Sequence, residues 1–287
     1  MISVILALVL SPLLLGFINQ TKAFFAGRVG VPFTQLYFDL FKLFKKDFVY
    51  SKTTTWVFRV GPIINISAAL IILLFLPLSV ISFKGDIILV MYLLGLMRFF
   101  TIVAALDTGS AFEGMGAARE VLYAIFAEIV IFTGLIALVY LTQSLSLANV
   151  FGKISTYHWI HYGPTLGLIS FVWFVILLLE NCRIPFDDPN THLELTMIHE
   201  VMVLDHGSFD FGLIQYASSL KLWIWSSLLA HILFPISSIW SNVLGIFLIS
   251  ILVGIVESTM ARFKLIRIPQ VLLAIFALSI LSLFLMR

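Results

Sequence analysis

The sequence predicts an all-α, polytopic membrane protein with about eight transmembrane helices, a cytoplasmic-side amphipathic helix and a long polar loop. Composition is the first observation behind this: 61% of the 287 residues are hydrophobic, 11% are charged, and the mean hydropathy is +1.10, far too little polar surface to coat a water-soluble globule. Segment length is the second, because many apolar runs reach the roughly 20 residues that a helix needs to cross a hydrocarbon core of about 30 Å. Charge placement is the third, because the basic residues gather in alternate connections.

The spans are predicted over residues 2–19, 56–82, 86–106, 119–141, 160–180, 219–240, 241–261 and 268–286, making one membrane domain of residues 1–287. The first apolar run, Ile2 to Ile18, has no basic leader and is followed by Asn19-Gln20 instead of a small-residue cleavage site, which reads as a retained span. Pro235 and the Ser237-Ser238 pair mark a break or an end between the sixth and seventh spans. Lys22, Arg28, Lys42, Lys45, Lys46 and Lys52 fall in the first connection, residues 20–55, and Arg59 just beyond its end. Arg119, Arg183, Lys221, Arg262, Lys264 and Arg267 fall on the same side, against only Lys84 and Lys153 opposite. The positive-inside tendency then puts the elaborate loops in the cytoplasm and both termini outside a prokaryotic plasma (inner) membrane. Within the first connection, Phe33, Leu36, Tyr37, Leu40, Phe41 and Phe44 recur at helical spacing over residues 31–48, opposite Asp39, Lys42, Lys45 and Lys46. That is the pattern of a helix lying in the interface.

A net charge of +2 gives no basic surface for nucleic acid, and the single cysteine, Cys182, excludes an intrachain disulfide or an iron–sulfur site held by this chain alone. No phosphate-binding loop, nucleophile elbow or catalytic triad signature occurs. Attention falls on ionisable residues inside spans, where a charge costs at least about 2.5 to 3.5 kcal/mol on insertion scales. Glu128 lies mid-span, eight residues after Glu120. That spacing sets the pair about 12 Å apart along the axis and about 80° apart in rotation. Arg98 can supply the counter-charge, making either a hydrated path or a helix-to-helix pin. Arg59 and Glu180, near span ends, can snorkel to the interface.

The long polar segment, residues 181–218, is with its flanks Glu180 and Lys221 acidic on the side that should be basic: Glu180, Asp187, Asp188, Glu194, Glu200, Asp205 and Asp210 outnumber Arg183 and Lys221. Its sequence predicts a turn at Pro185 and Pro189 and a new helix capped by Asp188, with His192, Thr196, His199 and Glu200 on one face. Acids so close to a bilayer point to proton handling or to docking a basic partner. A metal site is the weaker reading, since His192 and His199 stand seven apart, not at H-E-x-x-H spacing. From the residues alone, a transporter and a membrane coupling subunit both stay open.

Four separated motifs resemble one family, the membrane subunit of respiratory complex I called subunit 1 or H, and its relatives in membrane-bound [NiFe] hydrogenases and formate hydrogenlyase. Arg28, Gln35, Asp39 and Lys42 resemble the family's first-loop run, and Arg119 with Glu128 keep its spacing of loop arginine and fourth-span glutamate. Glu180, Arg183, Pro185, Phe186 and Asp187 are similar to its E-x-x-R-x-P-F-D, with Glu194 on a further family acid. Asn190 and His192 replace glutamates of the complex I pattern. The run Asp187 to Glu200 looks like the hydrogenase branch, as do Asp107-Thr108-Gly109 through Met115 to Glu120 (apart from Glu113) and Glu257 through Pro269-Gln270.

The resemblance implies a joint between a peripheral redox arm and an ion-translocating membrane arm. Glu120, Glu128, Asp187, Glu194 and Glu200 are the ion-path candidates, and Arg28, Asp39, Lys42, Arg119, Arg183 and Asp188 the docking candidates. It implies no cofactor on this chain. The nickel–iron centre and iron–sulfur clusters would belong to hydrogenase large and small subunits and an iron–sulfur subunit, alongside antiporter-like membrane subunits. The alternatives are a quinone-binding subunit of an NADH:quinone oxidoreductase and a stand-alone secondary transporter, for which no related halves with broken spans are found.

Overall fold

A computed structural model describes residues 2–77, 81–188, 197–234 and 238–286, and every regular element among them is helical. The chain runs α1 (Ile2–Phe25), α2 (Gln35–Lys45), α3 (Trp56–Leu73), α4 (Asp86–Asp107), α5 (Ala111–Thr142), α6 (Leu147–Lys153), α7 (Thr156–Glu180), α8 (Ser208–Leu233), α9 (Ile239–Thr259) and α10 (Ile268–Phe284). Short 3₁₀ turns cover Glu200–Val203 and Leu265–Arg267. Seven of the helices are long and apolar enough to cross a membrane, and α8 makes the eighth long element.

Helix α8 is less apolar because it is not surrounded by lipid. It lies at the centre, against α1, α2, α3, α7 and α9, and is buried almost continuously from Leu220 to Ile232. Its polar side chains meet other helices: Ser219 Oγ donates to Ser11 Oγ at 3.4 Å, and Asn242 Nδ2 to Ser227 Oγ at 3.2 Å. Trp225 of α8 packs edge-on against Trp173 of α7 with ring centroids 6.0 Å apart, both 1% exposed. Close helix approach needs small residues. A Cβ at Gly254 of α9 would stand 3.0 Å from the Ile18 carbonyl oxygen of α1.

Connections alternate between two faces. The segments after α1, α4, α7 and α9 meet on one: Thr55 N donates to Asp107 at 2.6 Å, Ser208 Oγ to the Lys46 carbonyl at 3.0 Å, and Phe263 N to the Pro185 carbonyl at 2.8 Å. The opposite face is simpler, and Asp86 organises it. Its carboxylate, fully buried, accepts from Leu147 N at 2.5 Å, Ser146 Oγ at 3.1 Å and Phe83 N at 3.2 Å, tying the start of α4 to α6. Replacing Asp86 with Ala strands those donors and is expected to cost about 2–3 kcal/mol, measurable as a lower Tm in detergent.

Several predicted boundaries shift for local reasons. Helix α3 ends at Leu73, short of residue 82, in a turn leading to Pro77, whose preceding residue is disfavoured in helical geometry. Helix α5 begins at Ala111, eight residues before the predicted 119, and reaches beyond the apolar stretch into the loop-rich face. The polar stretch 181–218 is not all loop, because from Ser208 it is the first part of α8. The sixth and seventh spans are separate helices, ending at Leu233 and starting at Ile239, with Ser238 Oγ accepting from Ser241 N at 3.2 Å.

Helix α2 is shorter than the predicted 31–48 and apolar on two sides. Leu36 and Leu40 are buried toward α1 and α8, and the Tyr37 hydroxyl donates to the Val9 carbonyl. Phe38 and Phe41 stay exposed, and Lys45 lies 4.1 Å over the Phe41 ring.

Candidate functional site

The helix-to-helix placement of α4, α5, α7 and α8 brings five ionisable side chains together inside the bundle. Arg98, from α4, is 8% exposed and fans its guanidinium over three carboxylates. Its Nη1 lies 3.0 Å from Glu128 of α5, its Nη2 donates to Glu180 at the end of α7, and its Nε stands 3.6 Å from Glu120 of α5. Lys221 of α8 holds the other Glu180 oxygen at 2.9 Å. Glu120 and Glu128, eight residues apart on one helix, are thus bridged by one arginine. The planar five-donor fork of arginine suits this, where a lysine could not reach three partners.

Three carboxylates against two cations leave a formal charge of −1 in the cluster. Attraction inside a bundle is only weakly screened, so the excess negative charge is shared among closely spaced groups. The site is graded in exposure. The Glu180 side chain is 3% exposed and that of Glu128 51%, opening into a cleft of about 360 Å³ between α4 and α5 lined by Tyr92, Phe99 and Phe132. A smaller cavity of about 40 Å³ lies on the other side of the cluster, bounded by Asn65, Thr101, Glu120 and Lys221. Such a volume holds about one water, and Asn65 Oδ1 and Arg98 Nε are buried without a hydrogen-bond partner in the structure.

Sequence reasoning undervalued Glu180. Its position at a span end suggested snorkelling to the interface, yet the chain turns there beneath the loop-rich face and buries the carboxylate between Arg98 and Lys221. Lys221 stood out in the sequence only as one of the basic residues on the loop-rich side. Its spacing from Glu180 carries no periodic signal, because the two sit on different helices.

Asp187 is placed away from this cluster. Buried, it accepts from Ile198 N at 3.2 Å, His199 N at 3.0 Å and its neighbour Asp188 N at 2.9 Å, and pairs with Arg262 Nη2 at 2.9 Å. This corrects the predicted helix across Met197–His199: the Ile198 and His199 backbone donors serve the Asp187 carboxylate, and only a 3₁₀ turn follows at Glu200–Val203. Glu194, His192 and the start of that helix at Pro189 lie outside the described residues. Arg119 Nη1 donates to the Met197 carbonyl at 2.8 Å, binding α5 to the same loop. Arg183 pairs with the buried Glu257 at 3.5 Å, which Lys22 also reaches at 2.8 Å.

Glu113 adds an anchor that no motif announced. It accepts from the Thr108 hydroxyl and, at 3.2 Å, from Asp205 N. Nearby, burial holds the His206 imidazole, stacked 4.0 Å from the Phe58 ring centroid, down to about 4, so it stays neutral.

Among the docking candidates, Asp39 accepts from Gln35 Nε2 at 2.9 Å, while Arg28 and Lys42 are exposed. Asp39 and Glu200 line a cavity of about 280 Å³ between α1, α2, α8, residues 181–183 and residues 199–203. Among the described residues, no three His, Cys, Asp or Glu side chains converge to hold a metal ion.

Among the described residues, eight long helices packed around a cluster of charges, with elaborate connections on one face, define a polytopic membrane protein. The sequence profile of the NADH dehydrogenase family matches residues 1–287, and the chain belongs to that family. Hydrogenase-4 component C of Escherichia coli (strain K12) is 29% identical over 296 residues, covering 97% of this chain and 92% of that protein. Formate hydrogenlyase subunit 4 of the same organism is 26% identical over 299 residues, covering 98% and 96%. A chain of the membrane-bound sulfane sulfur reductase, an archaeal respiratory membrane complex, has the same fold, with a TM-score of 0.84 at 20% identity over 98% of this chain and 96% of that one. The family that the four motifs resembled is thereby borne out, and the chain is a complex I-like membrane subunit.

Proposed function

We propose that this chain is the joint subunit of a [NiFe] hydrogenase or formate hydrogenlyase-type complex in a prokaryotic plasma membrane. Its loop-rich face, cytoplasmic by the basic-residue rule with both termini outside, docks the peripheral redox arm. Arg119 and Arg183 hold that face to Met197 and Glu257, and Asp188, Arg28, Asp39 and Lys42 are its further docking residues. Nickel–iron and iron–sulfur groups belong to the large, small and iron–sulfur subunits, and antiporter-like subunits continue the membrane arm.

The observation that carries the reading is the Arg98 cluster, three carboxylates against two cations at the meeting of four helices. A partner's redox event that changes the local field alters how tightly this cluster holds a proton or sodium ion, which is the physical content of coupling. Glu120, Glu128 and Glu180 form the core of the path, and Glu200, beside the loop-side cavity, stands at its mouth. Glu194 keeps its place in the proposal by motif alone.

Glu128→Gln removes the carboxylate that opens toward the α4–α5 cleft. In sealed vesicles holding the intact complex, the ratio of ions moved to electrons transferred to a dye is expected to fall about tenfold or more. An unchanged ratio would sink the reading. The loop-side cavity also favours a second reading, a quinone-binding subunit, for which a quinone-site inhibitor blocks activity and a quinone-linked arm copurifies.

A further inference from the structure

Two cavities meet at one wall. The loop-side cavity and the small cavity beside the charge cluster share Asn181, Cys182, His199, Ile214 and Ser218. The charged groups on the deep side are Arg98, Glu120, Glu180 and Lys221; those on the loop side are Asp39, Arg183 and Glu200. A proton crossing between the two sets meets a partition in which three of the shared residues, Asn181, Ile214 and Ser218, do not change charge near neutral pH.

Cys182 does not serve either. Burial and the neighbouring Glu120 charge push its thiol well above its ordinary range. Imidazole is the side chain whose charge changes near physiological pH, and its two ring nitrogens let it take a proton on one side and release one on the other. The backbone N–H of His199 is fixed on Asp187 Oδ2 at 3.0 Å, so the residue's place in the wall is set independently of its ring. Asn181 Oδ1, in the same wall, is buried without a hydrogen-bond partner in the structure, an acceptor suited to a water passing there.

We propose that His199 is the proton-carrying link between the loop-side cavity and the Arg98 charge cluster. A proton enters at one ring nitrogen, the proton on the other leaves toward the cluster, and the ring returns to neutral with its tautomer exchanged. The inference rests on the coupling reading above and adds to it the entry residue and the nature of the ion at this step.

The test uses the intact complex in sealed vesicles and reads protons moved per electron transferred to a dye. His199→Gln, which keeps polarity but cannot titrate, is expected to lower that ratio about tenfold or more. His199→Gly is expected to be equally low, and added imidazole, but not the similarly sized and far less basic pyrazole, to restore much of the ratio, a difference that no packing role of the ring would produce. A normal ratio in His199→Gln alongside a collapsed one in Glu128→Gln overturns the His199 link alone. Normal ratios in both overturn the coupling reading with it. A low ratio in His199→Gly that imidazole does not raise also overturns the link.

Discussion

Arg98→Leu is expected to empty the membrane of assembled protein. In the native chain one guanidinium answers Glu120, Glu128 and Glu180 together. Without it, Glu180 keeps only Lys221, while Glu120 and Glu128 keep no partner within this cluster. Removing one member of a buried ion pair costs about 3–5 kcal/mol, because the remaining charge stays desolvated. Stabilities of ordinary domains are about 5–15 kcal/mol, so most of the margin disappears with a single side chain.

The cause is separable from lost packing. Arg98→Leu leaves three carboxylates against one cation; adding Glu128→Gln returns the formal charge to −1 without disturbing the Glu180–Lys221 pair. The double variant is therefore expected to recover part of the assembled fraction and of the detergent Tm that the single variant loses. Wild-type levels of Arg98→Leu, or a double variant worse than the single one, would contradict the electrostatic account. Arg98→Lys should fall between, since a point charge on a flexible stem satisfies fewer of the three acids.

The spans were legible because a membrane imposes one dominant rule, and runs such as those of α4, α5 and α9 follow it apart from a few charged residues. Helix α8 obeyed it less well. Packed by other helices instead of lipid, it tolerates Ser219, Lys221 and Ser226, so its start at Ser208 was hidden inside a polar stretch. Glu128 and Arg98 stood out because charges are costly at mid-span, but their convergence with Glu180 and Lys221 is a tertiary fact. Four residues on four helices leave no period in the sequence. Motif resemblance supplied Glu180 and Asp187 where periodicity could not, yet it did not separate their jobs: one sits in a charge cluster, the other closes a loop.

That division of labour yields the second large effect. Asp187→Ala is expected to release the loop that follows α7 while the long helices stay in place. The Asp187 carboxylate is 2% exposed and takes two backbone N–H groups across the loop, from Ile198 and His199, together with Arg262 from the α9–α10 connection. Hydrogen bonds to a charged group contribute about 1.5–3 kcal/mol each, and they share one acceptor, so their joint loss amounts to about 3 kcal/mol or more. That is enough to shift a loop from closed to mainly open, since about 1.4 kcal/mol is a tenfold change in population. Amide hydrogen exchange over residues 197–203 should accelerate accordingly, with little change at Leu220–Ile232 of the central helix. Asp187→Asn should lose less, because its amide oxygen still accepts while the pairing with Arg262 weakens. Because the same loop carries Glu200 and His199 and forms the face proposed to dock the redox arm, the peripheral subunits should be recovered with the Ala variant in much reduced yield. Full recovery of those subunits with a loosened loop would show that docking does not depend on this closure, whereas unchanged exchange would show that Asp187 does not hold the loop at all.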